Sequence, residues 1–183
     1  MINYGKQSID QDDIDAVVEI LRSDFLTQGP KVVEFENDLA NYCEATYAKV
    51  VNSGTAALHL AYLAIDLEQG DIVWTTPNTF VATANAALYC GATVNFVDID
   101  PKTYNLSIDY LKEKLIQAKK DNKLPKLVVP VHFAGQSCEM KAIWELSKEY
   151  GFKVIEDACH ALGGEYLNNK VGNCEYSDMA VFS

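Results

Sequence analysis

The chain has 183 residues, 49% of them hydrophobic and 22% charged, a composition that fits one sizeable globular unit able to bury most of its apolar surface. Its formal net charge is -11, with carboxylates scattered along the sequence, which disfavours a nucleic-acid backbone or an anionic membrane as partner. No apolar run approaches the roughly 20 residues of a bilayer span and Met1-Ile2-Asn3-Tyr4 opens no signal peptide, so a cytoplasmic protein is expected.

The first element is "DQDDIDAVVEILRS", in which Ile14, Val17, Val18 and Leu21 share a helical face and acidic residues crowd the first turn. "FLTQGP" breaks that pattern before a second amphipathic segment, Val32 to Tyr42. Two textures then alternate. Short β-rich runs, "AKVVN", "DIVWTT", "TVNFVDI", "KLVVPVHF" and "KVIEDA", are separated by helical stretches at Thr55 to Ala64, Phe80 to Tyr89, Ile108 to Lys119 and Met140 to Tyr150. Such alternation implies parallel strands joined by crossover helices, and the nearly continuous apolar runs suit a sheet covered on both faces. "YLNNKVGN" reads as a turn or hairpin, and "SDMAVFS" as a further buried strand. The five cysteines, Cys43, Cys90, Cys138, Cys159 and Cys174, are odd in number and lack C-x-x-C spacing, which favours reduced thiols over disulfides or a zinc site.

In open parallel sheets, ligands sit beyond the carboxyl ends of the strands, so the residues directly after each run matter most. "VVNSGTAALHLAY" is a strand, a Ser-Gly-Thr turn and a helix: the helix start offers free N–H groups, Gly54 allows close backbone approach and Thr55 adds a hydroxyl. Ser53 or Thr55 could equally be a simple helix cap. "KVIEDACHALGG" ends an apolar strand on Glu156 and Asp157, where a carboxylate is costly unless paired. Asp157 could pair with a protonated heterocyclic nitrogen, cap a turn, or join His160 on a metal, the last lacking an evident third ligand. "TTPNTFVATANAALYCGA" brings Phe80 to the same side, as a core residue or as cover for a planar ring. His132 and His59 read as packing or hydrogen-bonding residues. Together the strand ends suggest an anion cradle, a flat aromatic surface and a buried acid on one edge, which suit the phosphate, ring and ring nitrogen of pyridoxal 5'-phosphate.

These motifs, with "YGKQSIDQDDIDAV", "FLTQGPKVVEFE", "VDIDPKTYN", "PVHFAGQ" and "YSDMAVFS", resemble the DegT/DnrJ/EryC1/StrS sugar aminotransferases over essentially the whole chain. The resemblance implies a three-layer α/β/α fold with a mostly parallel sheet, the aspartate aminotransferase-like large domain of fold-type I pyridoxal phosphate enzymes. It divides the chain into an N-terminal helix and substrate-contacting loop, 1–30, and the N-terminal portion of the large domain, 31–183, with the small C-terminal domain absent. By the same resemblance Gly54, Thr55, Ala56 and Ser183 hold the cofactor phosphate, Phe80 stacks on the ring, Asp157 pairs with its nitrogen and His160 lies near its 3'-oxygen. Tyr4, Asp24, Phe25, Leu26 and Thr27 match positions that contact the sugar nucleotide. The branch most resembled aminates a UDP-linked 4-keto-6-deoxy sugar on the route to pseudaminic acid, with glutamate as amino donor, in a homodimer.

The family's Schiff-base lysine falls after the serine that matches Ser183, so it is not expected within these residues. Lys170, in its turn or hairpin, is not a substitute, and the chain is not expected to catalyse transamination alone. Two rivals remain: a sugar 3-dehydratase of the same family, with histidine for the lysine, and a non-catalytic binding module.

Overall fold

The computed structural model describes residues 7–183; Tyr4 lies outside the described residues. The chain opens with α1 (Gln11–Arg22), started by a reciprocal cap in which the Asp10 carboxylate accepts from Asp12 and Asp13 N–H while Asp13 accepts from Asp10 N–H. After a loop, α2 (Pro30–Cys43) begins on a proline, whose missing N–H costs nothing in a first turn. There follow α3 (Gly54–Ala64), β1 (Ile72–Thr75), α4 (Val81–Tyr89), β2 (Thr93–Phe96), α5 (Ile108–Lys120), β3 (Leu127–Val129), α6 (Met140–Tyr150) and β4 (Lys153–Asp157). A small antiparallel hairpin, β5 (Glu165–Tyr166) and β6 (Asn169–Lys170), precedes β7 (Met179–Val181).

The main sheet has the order β2-β1-β3-β4-β7 and every pairing in it is parallel. Successive side chains point to opposite faces, and the cores follow that period. Val73, Leu127, Val129, Ile155 and Val181 pack with α3 and α4 through Leu58, Tyr62, Ala82 and Ala86. Trp74, Val128 and Val154 pack with α5 and α6 through Leu111, Leu115 and Ile143. Helices therefore cover both faces, the three-layer arrangement expected from strands that are apolar throughout. Among the described residues no helix is long and apolar enough to cross a membrane.

Two β-rich runs depart from expectation. "AKVVN" is not a strand: Val50 N–H donates to the Glu36 carboxylate of α2 at 3.1 Å and Lys49 Nζ lies 2.6 Å from the same carboxylate. A strand exists only where a neighbouring ladder takes its backbone groups, and here a side chain takes them instead. "KLVVPVHF" stops pairing as a strand at Val129 because Pro130 has no N–H to donate, and it resumes as a single bridge between Val131 and Asp157. The hairpin expected in "YLNNKVGN" and the strand in "SDMAVFS" both form.

Ile155 is fully buried between β3, β7 and the α3–α4 layer. Ile155→Ala is expected to cost about 2–5 kcal/mol of stability, as a cavity in a close-packed core. Urea unfolding followed by circular dichroism measures this, and an unchanged midpoint would contradict the packing.

Candidate active site

The carboxyl ends of β4 and β7 and the amino ends of α3 and α4 meet at one edge of the sheet. Asp157 is the last residue of β4 and only 5% exposed. Period-two alternation turns it to the α3–α4 face, where its Oδ2 accepts from the Thr83 hydroxyl at 2.6 Å. Thr83 Oγ1 also lies 3.1 Å from the Phe80 carbonyl and 2.7 Å from Thr79 Oγ1. A hydroxyl has one proton, and the shorter, charge-assisted contact claims it; Thr79 then donates to Thr83 and Thr83 to Asp157. The second carboxylate oxygen accepts the Cys159 N–H at 3.4 Å, and the Cys159 thiol also lies against this carboxylate. Among the described residues no lysine, arginine or histidine forms an ion pair with Asp157.

A buried carboxylate with hydroxyl and amide donors but no cation is an expensive arrangement, and the surroundings are built to hold it. Asp157 N–H donates to Pro130 O at 2.9 Å and Asp157 O accepts from His132 N–H at 3.0 Å. Thr83 is fixed in turn by Tyr62, whose hydroxyl donates to the Thr83 carbonyl at 2.9 Å. Burial, and secondarily the Asp157 charge, hold the Tyr62 phenol well above its ordinary range.

Beside the acid lies the start of α3. Ser53 is its N-cap and accepts the Ala56 N–H at 3.2 Å, so the capping alternative is realised. The same cap leaves the Gly54 and Thr55 N–H groups without a backbone acceptor, as in any first turn. The backbone of Gly54 comes so near Ser183 that an added Cβ would stand 2.7 Å from the serine Cβ and 2.8 Å from its Oγ, and 3.6 Å from Cys159 Sγ. Only glycine permits that approach. Ala158 N–H donates to Val181 O at 2.8 Å, which ties β7, and with it Ser183, to the residues after Asp157.

Phe80 is the N-cap residue of α4 and 74% exposed, so it is no core residue; it stands at the same edge one helical turn before Thr83. His160 is exposed, and its backbone carbonyl packs against Gly135, where a Cβ would come within 2.8 Å and the φ of +87° suits glycine. Asp24, Phe25, Leu26 and Thr27 lie exposed in the loop after α1. Among the described residues their side-chain-mediated bonds are local, Ser23 Oγ donating to Ile20 O at 2.8 Å and accepting from Phe25 N–H at 3.3 Å, and none joins them to the strand-end cluster. Lys170 is engaged by Glu165 at 2.6 Å in the hairpin.

Sequence reading gave no place at this edge to Thr83 or Asn105, and took Cys159 only as a reduced thiol. A polar residue on the otherwise alanine-lined face of α4, three places after Phe80, was the available signal for Thr83. Asn105 gave none: only the fold carries it to the loop after His132, where its amide donates to Gln136 O and Ser137 O and its oxygen accepts from Phe133 N–H.

Thr83→Val keeps the shape and deletes the donor, and is expected to cost about 1–3 kcal/mol in urea unfolding; a neutral effect would contradict the hydroxyl chain. The Cys159 thiol is pushed up to about 12 by burial and then by its contact with Asp157. Because the thiolate is the reactive form, alkylation of Cys159 at pH 8 is expected to run roughly 1,000-fold slower than at an unperturbed thiol, and faster in Asp157→Asn. Mass-spectrometric labelling time courses measure it, and a rate like that of a free thiol would contradict the environment described.

The profile of the DegT/DnrJ/EryC1/StrS aminotransferase family matches residues 7–183. The chain is 45% identical over 183 residues to the UDP-4-amino-4,6-dideoxy-N-acetyl-beta-L-altrosamine transaminase of Campylobacter jejuni subsp. jejuni serotype O:23/36 (strain 81-176), covering 100% of this chain and 47% of that protein. The structure of Helicobacter pylori PseC, an aminotransferase involved in the biosynthesis of pseudoaminic acid, superposes with a TM-score of 0.90 at 37% identity over 99% of this chain and 47% of that one. That of 3-amino-5-hydroxybenzoic acid synthase gives 0.86 at 30% identity, over 96% and 44%. The chain thus spans about half the length of the relatives it matches. From its "NSGTAALHLA" helix start to the buried aspartate of "KVIEDA", the chain belongs to the DegT/DnrJ/EryC1/StrS aminotransferase family.

Proposed function

We propose that the protein carrying this chain is a pyridoxal 5'-phosphate-dependent aminotransferase that aminates a UDP-linked 4-keto-6-deoxy sugar, with glutamate as amino donor, in the making of pseudaminic acid or a related surface sugar. The observation that carries this reading is the buried Asp157 carboxylate, which lacks a cationic partner among the described residues and sits beside an open helix start. A protonated ring nitrogen supplies the missing cation, and a phosphate suits the Gly54 and Thr55 N–H groups at the positive end of α3. With a net charge of -11 the long-range field repels such an anion, so local donors must hold it.

When bound, pyridoxal phosphate supplies an electron sink for the carbon that exchanges its amino group. Asp157 holds the proton at the ring nitrogen, and attraction across about 4 Å at an effective dielectric of 20 amounts to about 4 kcal/mol before desolvation is subtracted. Thr83 aims the carboxylate. Gly54, Thr55 and Ser183 grip the phosphate, Ala56 joining them only by giving up its 3.2 Å bond to Ser53. Phe80 would cover one face of the ring and His160 would serve its 3'-oxygen. The Asp24 to Thr27 loop would contact the sugar nucleotide, as would Tyr4, which lies outside the described residues; in this reading the Schiff-base role falls to none of the lysines of this chain. A homodimer is supported by α1, none of whose residues is buried, with Val17 and Leu21 exposed on it and Phe25 and Leu26 exposed in the loop after it. The cytoplasm, where nucleotide sugars are made available, is the compartment this reading requires.

The test combines the whole protein with pyridoxal phosphate, glutamate and a UDP-linked 4-keto-6-deoxy sugar, with mass spectrometry of the products. Amino sugar and 2-oxoglutarate in equal amounts are expected. Loss of water from the sugar without amino transfer would point to the dehydratase branch, and an unchanged substrate would overturn the reading. Asp157→Asn is expected to lower kcat/KM by roughly 100- to 1,000-fold, and an unchanged value would remove Asp157 from its role.

A further inference from the structure

Next to Asp157 on β4, Glu156 is equally buried, 5% exposed, and faces the opposite side of the sheet. Its carboxylate has two donors: the Ser177 hydroxyl reaches Oε1 at 2.5 Å and His132 Nε2 reaches Oε2 at 2.7 Å. The other ring nitrogen of His132, Nδ1, accepts the Cys138 N–H at 3.1 Å. A nitrogen that accepts carries no proton, so the ring is the neutral Nε2–H tautomer and the contact is a charge-assisted hydrogen bond, not an ion pair.

The segments joined in this way are the ones that build the edge on the other face. His132 belongs to the stretch whose Pro130 carbonyl and His132 N–H clamp the Asp157 backbone. Ser177 precedes β7, which delivers Ser183 to Gly54. The ladder is weakest where it is needed. Bonds run from Lys153 N–H to Lys126 O, from Asp157 N–H to Pro130 O and from His132 N–H to Asp157 O. In that register the rung due from residue 130 to the Ile155 carbonyl is missing, because residue 130 is proline. Apolar side chains of similar volume would fill the space under β4 without burying a charge. A carboxylate with directed donors adds something packing does not, a fixed angle between β4 and its neighbours.

We propose that Glu156 and His132 form a positioning pair which, through the backbone of residues 130–132 and 156–158, sets the direction of the Asp157 carboxylate toward the cofactor's ring nitrogen. The proposal rests on the reading of Asp157 given above. Neither residue touches the cofactor; both act through Asp157.

The experiment uses the whole protein loaded with pyridoxal phosphate labelled with nitrogen-15 in the ring, and reads the ring-nitrogen chemical shift beside circular dichroism and the cofactor Kd. In folded Glu156→Gln, where an amide N–H opposes one of the two donors, the shift is expected to move from the protonated toward the neutral position, and Kd to rise about tenfold. His132→Leu gives the same result, while His132→Gln, whose amide nitrogen can stand where Nε2 stood, keeps the native shift. A native ring-nitrogen shift in folded Glu156→Gln or His132→Leu overturns the proposal. Asp157→Asn separates the two claims: if it too leaves the shift native, the assignment of Asp157 fails first.

Discussion

A carboxylate kept out of water at the end of a parallel strand is the constraint on which the described edge depends. Asp157 receives a hydroxyl hydrogen bond and a weak backbone one, and its own backbone is held by the chain on either side of Pro130. Such a charge is stable only while its donors stay in place, because a lost donor leaves the full cost of desolvation. Thr83 therefore has to be fixed, and Tyr62 fixes it from α3. The start of α4, including Phe80, inherits the same constraint through the Thr83 N–H bond to the Phe80 carbonyl. One electrostatic requirement thus ties together two helices and a strand that are remote in sequence.

Strand alternation gives the two adjacent acids separate duties. Glu156 turns to the α5–α6 face and finds His132 and Ser177; Asp157 turns to the α3–α4 face and finds Thr83. The first is satisfied by the protein itself. Neither has a cation among the described residues, but Glu156 has a short donor on each oxygen while Asp157 has one on Oδ2 and only a 3.4 Å contact on Oδ1, which leaves Asp157 the less satisfied of the two.

Much of the architecture follows from local pattern. The helical spacing of the segments around Val17, Leu111 and Ile143, the alternation with apolar strands, and the Asp10 cap all appear in the order in which the sequence presents them. "AKVVN" shows the limit of such pattern: Val50 and Val51 have strand composition, yet a strand needs a partner ladder, and the Val50 N–H is taken by Glu36. Pro130 shows the opposite case, where one residue's missing donor was enough to end β3 as chemistry requires.

The sequence alone determined the class of fold and the types of group on the ligand edge, because periodicity, glycine and proline act over a few residues. It also raised the burial of Asp157, since an acid closing an apolar strand has nowhere else to go. Tertiary structure decided the rest. Phe80 was open between core and surface until the packing left it exposed. Gly54 read as a place for close backbone approach, but only the fold showed that Ser183 is what comes against it, from more than a hundred residues later. Thr83 and His132 acquired their partners only when β4 was laid between β3 and β7, for a hydrogen bond requires two groups at one distance and angle, and no span of sequence encodes where its second member will stand.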